Sequence, residues 1–402
     1  MKTLRRICFD HLKMLCDTIC DRSVSSDGNR RATSYFAENL KSYRWDVEIQ
    51  EFEAMDWVDG GACLRCAGEV FQVNVSPYSL GCDAEGPLVS ISSIAELEEE
   101  NITGKLLIMH GEIATEQLMP KSFVFYNPED HQHIISLLEI KKPMVIICAT
   151  GRNASMAGGV YPFPLIEDGD FDIPSVYMTE EEGQRLIPYL GLTASLKSIS
   201  ERVPGKGCNV IARKGHLSRG RLIVTAHIDA KKGTPGAIDN ATGVVTLLLL
   251  AERLKGYDGP NLVELVALNG EDYYAVPGQM RYIRDFQGRF TEILLNINID
   301  GAGYKEGRSA FSFYGLPVEV EQRLMGIISQ FDGLTVGQPW VQSDHSMFIQ
   351  NGCPAVAISS EWFTDHIDSQ QITHTPQDSM EIVDPAKLVE ISQALDLFIR
   401  GL

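Results

Sequence analysis

The chain has 402 residues, a formal net charge of −19, 44% hydrophobic and 22% charged residues. That length exceeds one ordinary core, so two domains of a soluble globular protein are expected. The acidic balance excludes a nucleic-acid-binding face and suits attraction of metal cations or a substrate ammonium group, and no apolar run reaches the roughly 20 residues of a membrane span.

The first residues read as an amphipathic helix with Ile7, Leu12, Leu15 and Ile19 near one side. Asp10, His11 and Lys13 interrupt what would otherwise be a signal-peptide core. A turn at Ser25–Asn29, a helix near Arg31–Lys41 and a half-buried strand at Asp46–Ala54 follow. From residue 58 to 200 short β-like runs dominate, at Val70–Val75, Lys105–His110, Met144–Ala149 and Ser175–Met178, with a helical piece at Glu180–Leu190. His131 and His133 in this stretch are read as surface residues. Cys63 and Cys66 form a CxxC with no second pair at zinc-ribbon spacing. Nine scattered cysteines, an odd number, point to a reducing, cytoplasmic setting.

After Pro204 apolar strands alternate with amphipathic helices. Strands are expected at Asn209–Lys214, Leu222–Ala226, Leu262–Leu268, Ile293–Ile299, Ser309–Tyr314 and Ala355–Ser359. Helices are expected at Ala241–Leu254, Gly278–Phe286, Val318–Phe331 and Pro385–Arg400. The pattern predicts an α/β fold: a mixed, mainly parallel sheet with helices on both faces, and Asp46–Ala54 at its edge. Residues 1–57 and 201–402 would then form one discontinuous domain, with 58–200 a mostly β insertion.

The chemistry concentrates at the expected strand ends. His227 and Asp229 leave the Leu222 strand, and Asp239 stands where the next helix begins. Taken alone, these residues read equally well as metal ligands or as a strand end, a turn former and a cap. Downstream come Asn269-Gly270-Glu271-Asp272, then Asn296 to Asp300, then Ser343-Asp344-His345, then Thr373-His374-Thr375-Pro376. A pair of ions about 3.5–4 Å apart requires a bridging carboxylate, further carboxylates and terminal imidazoles. His227, Asp239, Asp272, Asp300 and His374 supply that inventory, and its lack of thiolate suits catalytic rather than structural zinc. Glu271 is left beside them as a general base. Ser343, Asp344 and His345 are adjacent in sequence and so cannot form a serine triad, whose members meet through the fold.

The ordered series His-x-Asp, Gly-Ala-x-Asp-Asn, Gly-Glu-Asp, Asn-Ile-Asp, Ser-Asp-His and Thr-His-Thr-Pro-x-Asp resembles the co-catalytic zinc aminopeptidase family. That family also contains glutamate carboxypeptidase and non-catalytic receptor relatives. The resemblance covers residues 205–402 and, more weakly, the first 55. It implies two zinc ions, one held by His227 and Asp300, the other by Asp272 and His374, with Asp239 bridging. It also implies that Glu271 activates a water between the ions, that Asp229 orients His227 from behind, and that Asp239–Asn240 is a cis peptide. The middle stretch, with ITGKLLIMHGE and DIPSVYMTEEEGQRLI, is similar to a protease-associated domain. The family commonly has Glu-Glu where this chain has Glu271-Asp272, one methylene shorter at the second position. The expected activity is removal of N-terminal residues from short peptides. The rivals are a carboxypeptidase gripping a carboxylate through Arg281, Arg284 or Arg308, and a non-catalytic binding protein. A homo-oligomer is possible, and loops 303–308 and 359–373 would shape the substrate pocket.

Overall fold

The computed structural model describes residues 2–19, 21–152, 160–366 and 372–402. The chain divides into two compact units, one of Met1–Ala54, Lys206–Ile367 and Ile372–Leu402, the other built on Met55–Gly205. It passes between them inside two long strands, Asp46–Cys66 and Thr193–Lys214. Both strands outrun their predicted extents: Asp46–Cys66 continues through Asp59-Gly60-Gly61 and Thr193–Lys214 through Pro204-Gly205, turn-type residues that here stay inside a strand. The expected junctions at 57/58 and 200/201 therefore fall within strands.

In the first unit the strands lie in the order Leu334–Val336, Ser309–Tyr314, Ala355–Ser360, Ile293–Ile299, Arg221–His227, Leu262–Leu268 and Thr193–Lys214, with Asp46–Cys66 pairing beyond. The four strands from Ala355–Ser360 to Leu262–Leu268 are mutually parallel. Antiparallel pairings flank them on either side. This is the mixed, mainly parallel sheet that the alternation of apolar strands and amphipathic helices predicted.

The reason is burial. Leu222, Val224 and Ala226 join Leu265, Ile297 and Ile358 in one large core with the helices Lys2–Lys13, Asp27–Ser42, Thr242–Arg253 and Pro385–Gly401. Helix Thr242–Arg253 is apolar almost all round, as a helix enclosed by others must be. Helix Asp27–Ser42 begins earlier than predicted because the Ser26 hydroxyl accepts the Asn29 N–H at 3.0 Å. Tyr282, Phe286, Phe290 and Phe348 form a separate aromatic cluster from Pro277–Phe286, His345–Gln350 and the short turn between Gln287 and Ile293.

In the second unit Cys82–Ile91, Leu106–Met109, Val145–Thr150 and Ser175–Thr179 are successively parallel. Parallel neighbours need crossovers, and helices Ile94–Glu99 and Glu129–Lys141 supply them. The sequence reading omitted both helices and the Cys82–Ile91 strand. In Glu129–Lys141 the Ile and Leu residues are not confined to one side, Ile140 being exposed, but Ile134, Ile135 and Leu138 share its buried side. The reading of His131 as a surface residue was wrong. It is buried on that helix, its Nδ1 accepting the Met119 N–H at 3.0 Å and its Nε2 lying 3.1 Å from Glu116. His133 is exposed beside Glu98. No helix among the described residues is long and apolar enough to cross a membrane.

Candidate metal centre

Strand Arg221–His227 has Leu262–Leu268 on one side and Ile293–Ile299 on the other, so the winding of the parallel sheet reverses across it. Such a reversal opens a crevice beyond the carboxyl ends of the strands. Into that crevice the three strands deliver His227, the Gly270–Asp272 turn and Asp300. Asp239 arrives from the turn before helix Thr242–Arg253, and His374 from the segment before Pro385–Gly401.

The predicted ligands converge. His227 Nε2 lies 3.1 Å from Asp239 Oδ1 and 3.5 Å from Asp300 Oδ1. His374 Nε2 lies 3.0 Å from the other Asp239 oxygen, Oδ2, and 2.9 Å from Asp272 Oδ1. Asp239 thus turns one oxygen to each imidazole, the arrangement a bridging carboxylate needs. Three groups of donors lie within 4.8 Å among the described residues, and two of them share Asp239: His227–Asp239–Asp300 and Asp239–Asp272–His374; the third is His227–Asp229–Asp272. Although one methylene shorter than Glu, Asp272 still reaches His374.

Several of these atoms are buried and hydrogen-bonded to nothing: both ring nitrogens of His227, Asp300 Oδ1 and Asp272 Oδ2. Buried polar atoms are normally paired, and those that are not require an explanation such as an ion. The electrostatics agree. Burial alone would lower the affinity of His227 and His374 for a proton, yet the surrounding aspartates raise both well above the usual imidazole value. Burial opposes ionisation of Asp239, and the two imidazoles reverse that and hold it below the carboxylate range. A field that grips protons this firmly is equally a field for divalent cations, which compete with protons for the same lone pairs. The nitrogen and oxygen donors with no thiolate fit catalytic zinc.

Glu271 is half-buried beside the cluster. Burial raises its carboxyl well above the usual range; His227 opposes the rise, and Asp272, Asp300 and Asp344 reinforce it.

Asp229 does more than the sequence suggested. Its Oδ1 lies 3.6 Å from His227 Nδ1, but it also accepts the N–H groups of Gly270 at 2.7 Å and Glu271 at 3.3 Å, while Oδ2 accepts that of Asp272 at 2.9 Å. One carboxylate therefore sets the turn that carries both Glu271 and Asp272. Asp229→Ala is expected to weaken zinc binding about 10- to 100-fold, the usual effect of losing a residue that orients ligands. Zinc titration against a competing chelator would measure it, and wild-type affinity would remove Asp229 from this role.

Asn240 and Asp378 fix the other carboxylate. The peptide Asp239–Asn240 is cis, as the family resemblance implied. Asn240 donates to the Ile299 carbonyl at 2.8 Å and accepts the Gly243 N–H at 3.0 Å. A Cβ on Gly243 would come within 2.4 Å of both Asn240 Oδ1 and the Ile299 carbonyl, so only glycine permits this approach. Asp378 accepts the N–H groups of Ile238 and Asp239 at 2.7 and 3.0 Å. It closes the Thr-His-Thr-Pro-x-Asp motif, so the signal was visible, but no role was assigned to it.

Ser343, Asp344 and His345 form no triad. Asp344 accepts from Gln279 at 2.8 Å, His345 Nε2 donates to the Trp340 carbonyl at 2.9 Å, and the Ser343 hydroxyl accepts from Asn298 at 2.9 Å. Of the arginines considered as carboxylate clamps, Arg281 pairs with Asp285 and Arg308 with Glu361, each at 2.9 Å. In the segments expected to shape the pocket, Lys387 Nζ pins 303–308 through the carbonyls of Tyr304, Glu306 and Gly307. Part of 359–373, namely 367–371, lies outside the described residues.

Residues 209–399 match the model of peptidase family M28. Aminopeptidase YwaD of Bacillus subtilis (strain 168) is 21% identical over 412 residues, spanning 97% of this chain and 82% of its own. Probable leucine aminopeptidase 2 of Aspergillus fumigatus is 22% identical over 368 residues, 83% of this chain and 67% of its own. Among solved structures, the aminopeptidase from Aneurinibacillus sp. strain AM-1 superposes with a TM-score of 0.76 at 19% identity, covering 99% of this chain and 93% of that one. BSAP, a zinc aminopeptidase from Bacillus subtilis, gives 0.75 at 18% identity, covering 99% and 95%.

Proposed function

Residues 209–399 match the model of peptidase family M28, and we propose that the chain is a member of that family and a metal-dependent aminopeptidase acting on short peptides. The observation that carries this reading is Asp239, one oxygen toward His227 and the other toward His374, with Glu271 alongside.

In this reading His227 and Asp300 would hold one zinc ion, Asp272 and His374 the other, and Asp239 would contribute to both. Bound zinc supplies Lewis acidity toward a water and a peptide carbonyl. Glu271 takes the proton of the attacking water and returns it to the leaving amine as the C–N bond breaks. Asp229 keeps Glu271 and Asp272 in register through the backbone of their turn. The acidic balance of the chain, −19 overall, favours a substrate that brings a free α-ammonium group.

A carboxypeptidase would require a guanidinium free to clamp the substrate's terminal carboxylate; the Arg281–Asp285 and Arg308–Glu361 pairs weigh against those two arginines, and the exposed Arg284 leaves the decision to an assay. Assay of dipeptides blocked at one end or the other separates the two. Cleavage is expected only when the amine is free, and cleavage of N-blocked substrates would overturn the aminopeptidase reading. Stripping with a chelator should abolish activity and zinc should restore it; an active, metal-free protein would remove the metals from the mechanism.

The second unit as a protease-associated-like insertion belongs to the same proposal, supported by its strand-rich, parallel make-up. A reducing cytoplasmic setting is supported by the unpaired thiols of the eight described cysteines, five of them buried.

A further inference from the structure

The stretch matched by the family model begins at residue 209, yet two polar residues far upstream of it reach under the metal centre. Arg22 is 1% exposed and has four carbonyl partners. Its Nε donates to Ile228 at 3.1 Å, Nη1 to Leu15 and Pro235 at 2.7 Å each, and Nη2 to Gly236 at 2.7 Å. Ile228 lies between His227 and Asp229, while Pro235 and Gly236 lead into the turn bearing Asp239. From the opposite direction Asp378 takes the N–H groups of Ile238 and Asp239, and its own carbonyl takes that of Ala237 at 3.1 Å.

The loop between the two ligands is therefore held by its carbonyls from one side and by its N–H groups from the other. A guanidinium suits the first task because its rigid fork addresses several acceptors at once, where an ammonium is a single point. Asn29 extends the brace to the neighbouring turn. Its side-chain amide pairs reciprocally with that of Asn269 at 2.9 Å in each direction, and it also donates to the Arg22 carbonyl at 2.8 Å. Asn269 directly precedes the Gly270–Asp272 turn.

We infer that Arg22, from the N-terminal segment, is a positioning residue for the metal centre, acting with Asp378 to preset the bridging carboxylate of Asp239. This rests on the metal-site reading above. A guanidinium buried against four carbonyls, with no carboxylate hydrogen-bonded to it among the described contacts, is an arrangement that chain packing alone does not demand. Its partners are all backbone, and three of the four border metal-binding positions. Arg22→Met should therefore raise the dissociation constant for zinc about 10- to 100-fold, the range for groups that orient ligands. Arg22→Lys should recover part of that loss.

The control is Arg221→Met. Arg221 is also buried and ion-paired, to Glu264 and to Glu292, but stands at the far end of the strand from His227. Zinc affinity would be read by chelator competition on full-length protein, at a temperature where circular dichroism shows each variant folded. The inference predicts weakened zinc binding in Arg22→Met and wild-type binding in Arg221→Met. Wild-type affinity in Arg22→Met, or an equal loss in Arg221→Met, would overturn it. Should Arg22→Met not fold, the near-isosteric Asp378→Asn takes its place, with the same weakening expected and unchanged affinity refuting the idea. A wild-type chain that binds no zinc would sink the metal-site reading and this inference together, whereas wild-type binding with unaffected variants sinks this inference alone.

Discussion

Glu271→Gln is expected to keep its zinc and lose about 10²–10⁴-fold in kcat, the range that a positioned general base contributes. Gln preserves the shape of the side chain and cannot accept the proton. Glu271 is in none of the three donor groups, so metal content should stay at the wild-type level. Because the proton moves only as the transition state forms, KM should change little while kcat falls. The local field gives a further reason. Burial raises the Glu271 carboxyl above the usual range in the metal-free chain, and cations bound by Asp272 and Asp300 would pull it back down, toward the ionised form that a base needs. Elemental analysis and steady-state kinetics on the same preparation would decide the matter. A variant within tenfold of wild type would strip Glu271 of its role, and one that had also lost zinc would make it a ligand.

What could be read from the sequence divides along a physical line. His227, Glu271-Asp272 and Asp300 each follow an apolar run directly, so strand and donor were visible together, and parallel strands bring their carboxyl ends to one edge. The residues that hold those donors were invisible for the opposite reason. Arg22 meets Ile228 across 206 positions and Asn29 meets Asn269 across 240, and no local pattern encodes such contacts. His131 was misplaced because the Ile and Leu residues of its helix are not confined to one side, so no clean helical period marks which positions face the core. Asp229 was assigned to His227 alone because its bonds to Gly270–Asp272 are to backbone, which carries no side-chain signature. The strand boundaries failed where strands Asp46–Cys66 and Thr193–Lys214 run from one unit into the other, since Asp59-Gly60-Gly61 and Pro204-Gly205 read as turns and yet lie inside the strands.

Asp239→Ala should remove both metals, whereas His227→Ala should remove one. The asymmetry follows from geometry: Asp239 turns one oxygen to each imidazole and so shares in two groups able to hold an ion, one with His227 and Asp300 and one with Asp272 and His374, while the other group containing His227 runs through Asp229, whose oxygens take the N–H groups of Gly270 and Asp272. It follows from charge as well. Two dications about 4 Å apart repel four times as strongly as two unit charges, on the order of 16 kcal/mol at an effective dielectric near 20. A carboxylate between them offsets much of that, and with Ala in its place the second cation meets the first unscreened. The expected stoichiometries are therefore two zinc per wild-type chain, about one for His227→Ala and none retained through dialysis for Asp239→Ala, with hydrolysis down at least about 10²-fold in both. Equal zinc content in the two variants would show that Asp239 does not bridge. Two zinc ions in Asp239→Ala would move the metal centre elsewhere in the crevice and, with it, the assignment of every ligand named above.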